Sequence, residues 1–129
     1  MTEFLRLHHA SVIVTELATA LRFYVNVLGL PVDDSRPDMG FPGAWLEVGE
    51  QQIHLLELPN CDPVAGRPGH AGRDRHTAFL VTDLATLEQR LEKNGISFSR
   101  SRSGRRAIFC RDPDGNGIEL IEAAVGAVS

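Results

Sequence analysis

The sequence predicts an α+β protein built from two copies of one unit, each a strand, a helix and then two or three strands. Three observations carry this expectation. Val14-Thr15-Glu16-Leu17-Ala18-Thr19 recurs 67 residues later as Val81-Thr82-Asp83-Leu84-Ala85-Thr86, with five of six positions identical. The flanks of both copies change from strand to helix character in the same way. The segment closing the first copy, Gln52-Ile53-His54-Leu55-Leu56-Glu57, recurs at an offset of 65 as Gly117-Ile118-Glu119-Leu120-Ile121-Glu122. Matches at both ends of a unit, with a slip that turns can absorb, mark an internal duplication.

The elements follow in order. His9-Ala10-Ser11-Val12-Ile13 and His76-Thr77-Ala78-Phe79-Leu80 are short, β-rich runs and read as the first strand of each copy. After each hexapeptide the spacing becomes helical, through Leu17, Leu21, Tyr24 and Leu28 in one copy and Leu84, Leu87 and Leu91 in the other. Thr15 and Thr82 are placed to cap these helices, with Glu16 and Asp83 in the first turn. Gly29 and Asn94-Gly95 supply the stops. The best middle strands are Gly43–Val48 and Arg106–Cys110, and Asp112-Pro113-Asp114-Gly115-Asn116-Gly117 reads as a turn. The chain is therefore expected to be one domain over residues 1–129, with one module over 5–58, a Pro/Gly-rich connector over 59–72 and a second module over 73–124. One copy cannot bury both faces of its small sheet, so the copies pack together or are exchanged between chains.

Composition narrows the function. With 129 residues, 43% hydrophobic and 23% charged, the chain has enough apolar residues for a core without staples. A net charge of −4 argues against nucleic acid as a partner. Arg100, Arg102, Arg105 and Arg106 cluster, as either a solvated loop or an anion-binding edge. No N-terminal segment resembles a signal peptide and no apolar run nears the ~20 residues of a membrane span, so a cytoplasmic protein is expected, with no membrane partner. Cys61 and Cys110 are expected to be reduced there, Cys110 as a buried thiol.

Four polar residues interrupt the strands at matched places. On the first strand of each copy, Ala10, Val12 and Val14, and likewise Thr77, Phe79 and Val81, share the face that packs under the helix. His9 and His76 point the other way. His54 and Glu119 occupy equivalent positions within Ile-X-Leu. Taken singly, each is an ordinary core or surface residue. Taken as two repeat-related pairs, they are candidate ligands of one divalent ion, since burying such groups unpaired costs several kcal/mol and imidazole with carboxylate suits Ni, Zn, Mn or Fe. His8 is expected on the opposite face and His70 in the connector.

These same segments resemble a known family. His9 leading into its strand, Phe23-Tyr24-Val25-Asn26-Val27-Leu28-Gly29, His76-Thr77-Ala78-Phe79, and the closing Asp112 to Leu120 segment are similar to the signatures of the vicinal oxygen chelate superfamily. That superfamily includes glyoxalase I, fosfomycin-resistance thiol transferases, extradiol dioxygenases and bleomycin-resistance proteins. The resemblance covers nearly the whole chain. It implies two βαβββ modules forming an incomplete barrel around a metal site, usually in a homodimer, with His9, His54, His76 and Glu119 as ligands. Pro42 to Leu46 followed by Ile53 to Leu56 looks most like glyoxalase-like proteins. One departure matters: glyoxalase I carries Glu where this chain has His54, which leaves Glu119 as the carboxylate.

Three functions follow as expectations. The leading one is a metal-dependent, glyoxalase-like lyase or isomerase. Its small substrate is chelated through vicinal oxygens, with Glu119 as ligand and general base and Arg105 or Arg106 on an anionic end. The second is an Fe(II) dioxygenase, or a thiol transferase whose substrate becomes a thiol adduct. The third is a non-catalytic drug-binding protein whose groove is lined by Trp45, Phe41 and Tyr24, unless these are core aromatics.

Overall fold

The computed structural model describes residues 2–124. The chain divides between Cys61 and Asp62 into two compact units, each with its own four-stranded sheet. The first unit runs β1 (His9–Val14), α1 (Leu17–Leu21), a π-helical continuation over Arg22–Val27, β2 (Val32–Asp33), β3 (Gly43–Val48) and β4 (Gln51–Glu57). The second opens with a 3-10 turn at Ala71–Arg73 and runs β5 (His76–Val81), α2 (Leu84–Lys93), β6 (Ser99–Arg100), β7 (Ala107–Arg111) and β8 (Gly117–Glu122). The strand orders are β1-β4-β3-β2 and β5-β8-β7-β6, so the duplication holds at the level of topology. Neither sheet closes on itself, and the fold is α+β with two repeated modules. The edge strands β2 and β6 are two residues each, too short to show in the sequence pattern.

Register is the part of the fold that positions the site. In each unit the first strand pairs in parallel with the last: Ser11 lies opposite His54, and Ala78 opposite Glu119. Partners across a ladder share a face. Val14, Ala44, Leu46, Ile53 and Leu55 are buried on the helix face of the first sheet, and Phe79, Ile108, Cys110, Ile118 and Leu120 on that of the second. His9, Trp45, Gln52 and His54 therefore share the open face of the first sheet. His76, Phe109 and Glu119 share that of the second.

The helices differ from expectation in two ways. The caps fall one residue later than Thr15 and Thr82: Glu16 and Asp83 are the N-cap residues. Asp83 accepts from Thr86 N–H at 3.1 Å, whereas Glu16 makes no side-chain cap bond. The first orphan donor of each helix is satisfied by the last residue of the closing strand. Leu17 N–H donates to Glu57 at 2.8 Å and Leu84 N–H to Glu122 at 2.9 Å. The repeat Ile-X-Leu-X-Glu thus ends on a cap as well as on a strand. In the first unit the π-helical turn moves the buried stripe to Ala20, Phe23, Tyr24, Val27 and Leu28, with Leu17 and Leu21 only half-buried. α2 keeps the expected stripe of Leu84, Leu87 and Leu91. It stops as expected: Gly95 N–H donates to Glu92 C=O and Ile96 N–H to Leu91 C=O, with Gly95 at φ 70°.

Candidate metal centre

On the open face of the first sheet, three rings stack. His54 lies between His9, at 3.9 Å between centroids, and Trp45, at 4.8 Å, with its ring 15° from parallel to each. A short relay fixes the His54 tautomer. Asp33 accepts from Gln52 Nε2 at 2.7 Å, and Ser35 bonding and Gln52 hold its carboxyl below the ordinary range, so it can only accept. The Gln52 carbonyl oxygen then faces His54 Nε2 at 2.8 Å and must accept as well. The ring proton is placed on Nε2, which leaves Nδ1 with a free lone pair. Burial, reinforced by His9, lowers the His54 pKa and favours the neutral ring a metal requires. His8 precedes β1, so strand alternation does not govern it. Its Nδ1 lies 2.9 Å from His9 Nδ1 rather than on a separate face.

On the open face of the second sheet, His76 and Glu119 meet. His76 Nδ1 lies 2.9 Å from the Asp74 carbonyl, which can only accept, so Nδ1 carries the hydrogen. His76 Nε2 then faces Glu119 Oε1 at 3.2 Å. In a neutral ring this sets a lone pair against a carboxylate oxygen, an arrangement that needs a proton or a cation. Glu119 is 5% exposed, and its Oε2 has no hydrogen-bond partner among the described residues. An ionised oxygen buried in this way is costly unless something positive completes it. Two donors held at ~2.1 Å from one ion lie about 3.0–3.4 Å apart, so the pair fits a shared divalent ion. Gly117, opposite His76, allows the two strands to approach: a Cβ there would lie 2.8 Å from the Arg75 carbonyl and 3.0 Å from His76 Cβ.

Asp74 organises this side of the unit. Its carboxylate takes Arg67 Nε at 2.7 Å and Nη2 at 2.9 Å, and Arg111 Nη1 at 2.8 Å. These bonds hold its carboxyl well below the usual range. Arg111 also donates to the carbonyls of Gly115 and Pro68, so one network ties the connector and the Asp112 turn to the residue whose carbonyl orients His76. Asp74, Gln52 and Asp33 escaped sequence reasoning because none has a repeat-related counterpart of its own kind: the matching positions are Leu7, Gly117 and Ser99. The turn itself is as expected, with Asp112 accepting from Asp114 and Asn116 N–H at 2.9 Å each.

A cleft of about 340 Å3 in the second unit takes in His76, Glu119 and Phe109 together with Arg73, Arg102 and Arg105. Arg106 lies elsewhere, with Nε 2.9 Å from Glu122, where it braces the α2 cap. Trp45 belongs to the first unit, stacked on His54. Tyr24 is 2% exposed and is a core aromatic. Each unit thus assembles one pair, His9 with His54 and His76 with Glu119. Among the described residues no group of three or more His, Cys, Asp or Glu side chains could by itself hold an ion.

Two strand–helix–three-strand repeats, each with polar groups at matched register on the open face of its sheet, define a duplicated α+β module protein. Residues 6–120 match the family model of the Glyoxalase/Bleomycin resistance protein/Dioxygenase superfamily, and the chain belongs to that superfamily. It is 32% identical over 121 residues to Glyoxylase I 4 of Arabidopsis thaliana, covering 88% of this chain and 68% of the relative. It is also 32% identical over 128 residues to lactoylglutathione lyase of Salmonella typhimurium, covering 92% and 93%. Among solved structures, a glyoxalase family protein from Bacillus anthracis superposes with a TM-score of 0.76 at 27% identity, covering 96% of this chain and 100% of that one. No helix among the described residues is long and apolar enough to cross a membrane.

Proposed function

We propose that the protein is a metal-dependent lyase or isomerase of the glyoxalase type, acting on a small substrate bound through neighbouring oxygens. The observation that carries this reading is the buried, unpartnered Glu119 Oε2 beside the bare Nε2 of His76. On this reading His9, His54, His76 and Glu119 hold one divalent ion, Ni, Zn, Mn or Fe. The sharing of one ion by both pairs rests on the duplication and on the superfamily, whose glyoxalase members typically use such a metal. When bound, the ion supplies Lewis acidity at the substrate oxygens.

The chain's own residues do the rest. Glu119 removes a proton from the carbon next to a carbonyl and returns it to a neighbouring atom. Phe109 and the apolar strands around Glu119 keep water away from that carboxylate. Asp74, through its carbonyl, holds His76 in one tautomer. Arg105 neutralises the substrate's anionic end. Superfamily members commonly form dimers, and a homodimer is the assembly proposed here too.

The test is elemental analysis of protein purified without added metal, alongside His76→Ala and Glu119→Gln. We expect about one divalent ion per chain in the wild type, at least a tenfold loss of occupancy in His76→Ala, and loss of both occupancy and lyase turnover in Glu119→Gln. A wild type that neither contains nor takes up an ion, or a Glu119→Gln variant with full occupancy and turnover, overturns the proposal.

A further inference from the structure

The cleft that takes in His76 and Glu119 is basic elsewhere along its wall, and that charge is uncompensated. Six arginines of the chain, Arg6, Arg67, Arg75, Arg100, Arg106 and Arg111, stand in ion pairs with carboxylates. Arg73, Arg102 and Arg105 all line the cleft, and none has an ion pair among the described residues. A chain with a net charge of −4 has acidic residues to spare, yet none faces these three except Glu119.

The loop between β6 and β7 is folded to present Arg102 and Arg105, while Arg73 comes from the 3-10 turn before β5. Ser101 and Ser103 hydroxyls share a hydrogen bond at 2.7 Å, and Ser103 N–H donates to Ser101 Oγ at 3.2 Å. Ser103 Oγ in turn accepts from both the backbone N–H and the Nε of Arg105, at 3.3 Å each. Gly104, at φ 86°, makes the turn between them. Arg105 is thus steadied through Nε while its two terminal nitrogens stay available. The connector closes in from its own side. His70 Nδ1 accepts from Gly72 N–H at 3.0 Å, so its proton is on Nε2, and the ring rests against Phe109 at 4.9 Å.

We propose that this wall binds a phosphoryl dianion carried by the substrate, while the His76–Glu119 pair faces the reacting carbons. The proposal rests on the function proposed above and names its substrate class. Three guanidinium groups, with the one serine hydroxyl hydrogen that the Ser101–Ser103 bond leaves over, match a tetrahedral group with three terminal oxygens and nearly two negative charges. A single carboxylate would leave positive charge in excess and could engage only one guanidinium as a two-pronged partner. A neutral or cationic group would find no counter-charge there.

The test uses chelator-treated, metal-free protein titrated with inorganic phosphate, followed by calorimetry and by backbone amide shifts, with acetate as the monoanionic comparison. We expect one saturable phosphate site, at least about tenfold tighter than acetate. Arg102→Ala and Arg105→Ala should each weaken phosphate about tenfold or more, with shifts confined to the cleft loop and Arg73. Arg105→Lys, which keeps the charge but not the fork, should recover only part of the loss. Arg90→Ala removes an equally exposed charge from α2 outside the cleft and should change affinity by less than about twofold. Absence of saturable binding, equal affinity for acetate, or an equal loss in Arg90→Ala overturns the proposal. Because no metal is present, a failed metal reading leaves this result standing, and a failed phosphate site leaves the metal analysis intact.

Discussion

Cys110 and Glu119 lie on adjacent strands of the second sheet, and burial treats them differently. Cys110 faces the helix side, opposite Ile118, in apolar surroundings that push its thiol up to about 12, with Asp112 adding to the effect. It is an inert packing group. Cys61 is exposed. A thiol reagent at neutral pH should therefore modify one cysteine per native chain and two after denaturation, and labelling of Cys110 in the native state would show that the β7 strand opens. Glu119 faces the opposite way, where its neighbours are His76, Phe109 and the arginine-lined cleft. The alternation of side chains along this strand pair separates packing from chemistry. The four candidate ligands were legible in the sequence because each pair recurs at a repeat-related place. The groups that orient them were not. Asp74 acts through a backbone carbonyl, and Gln52 acts because Asp33, on a two-residue strand, fixes its amide.

At the scale of elements, the duplication repeats devices as well as shapes. Glu57 and Glu122 each end a closing strand by accepting the first N–H of their unit's helix. Leu17 N and Leu84 N would otherwise be orphan donors at the sheet edge. The two helices then diverge. α2 is a regular helix with a side-chain cap from Asp83, a leucine stripe and a glycine stop. α1 breaks into a π-helical turn, which widens its apolar face to include Phe23 and Val27 beside Tyr24 and Leu28. Leu91 is fully buried on α2. Leu91→Ala should cost about 2–5 kcal/mol of stability in urea unfolding, by lost transfer energy and the cavity left behind. A cost below about 1 kcal/mol would mean that the α2 stripe is not the seam of its unit.

At the scale of the whole molecule, acidity should weaken the second unit through Asp74 and Glu122, as it should the first through Asp33. Asp74, held low by Arg67 and Arg111, and Glu122, held low by the Leu84 N–H, both have folded values below their unfolded ones. A carboxylate with a depressed folded pKa contributes stability that is fully present above the unfolded value, 3.8 for Asp74 and 4.5 for Glu122, and is lost as pH falls through the folded value. The midpoint Tm should therefore fall steeply below about pH 4.5. Asp74→Asn should have a lower Tm at pH 7 and a shallower decline below pH 4. Parallel Tm curves for wild type and variant would show that the Asp74 network does not link folding to protons.

What the sequence determined by itself was the duplication and everything that duplication repeats: the order of elements, the register of His9 with His76 and of His54 with Glu119, the turns at Gly95 and Asp112, and through these the superfamily. Repetition makes such features visible because two imperfect signals agree at one offset. Tertiary structure decided the rest. The first N–H of each helix is met by a strand-end glutamate distant in sequence, Glu57 or Glu122, which no local pattern announces. Of the two arginines expected at an anion, Arg105 turned into the cleft and Arg106 was drawn to Glu122, a choice made by the curl of one loop around two serine hydroxyls. The tautomers of His54 and His76 depend on hydrogen bonds to a glutamine side chain and a backbone carbonyl. Neither partner leaves a mark in residue spacing, because what brings it to the ring is the fold of the chain in three dimensions.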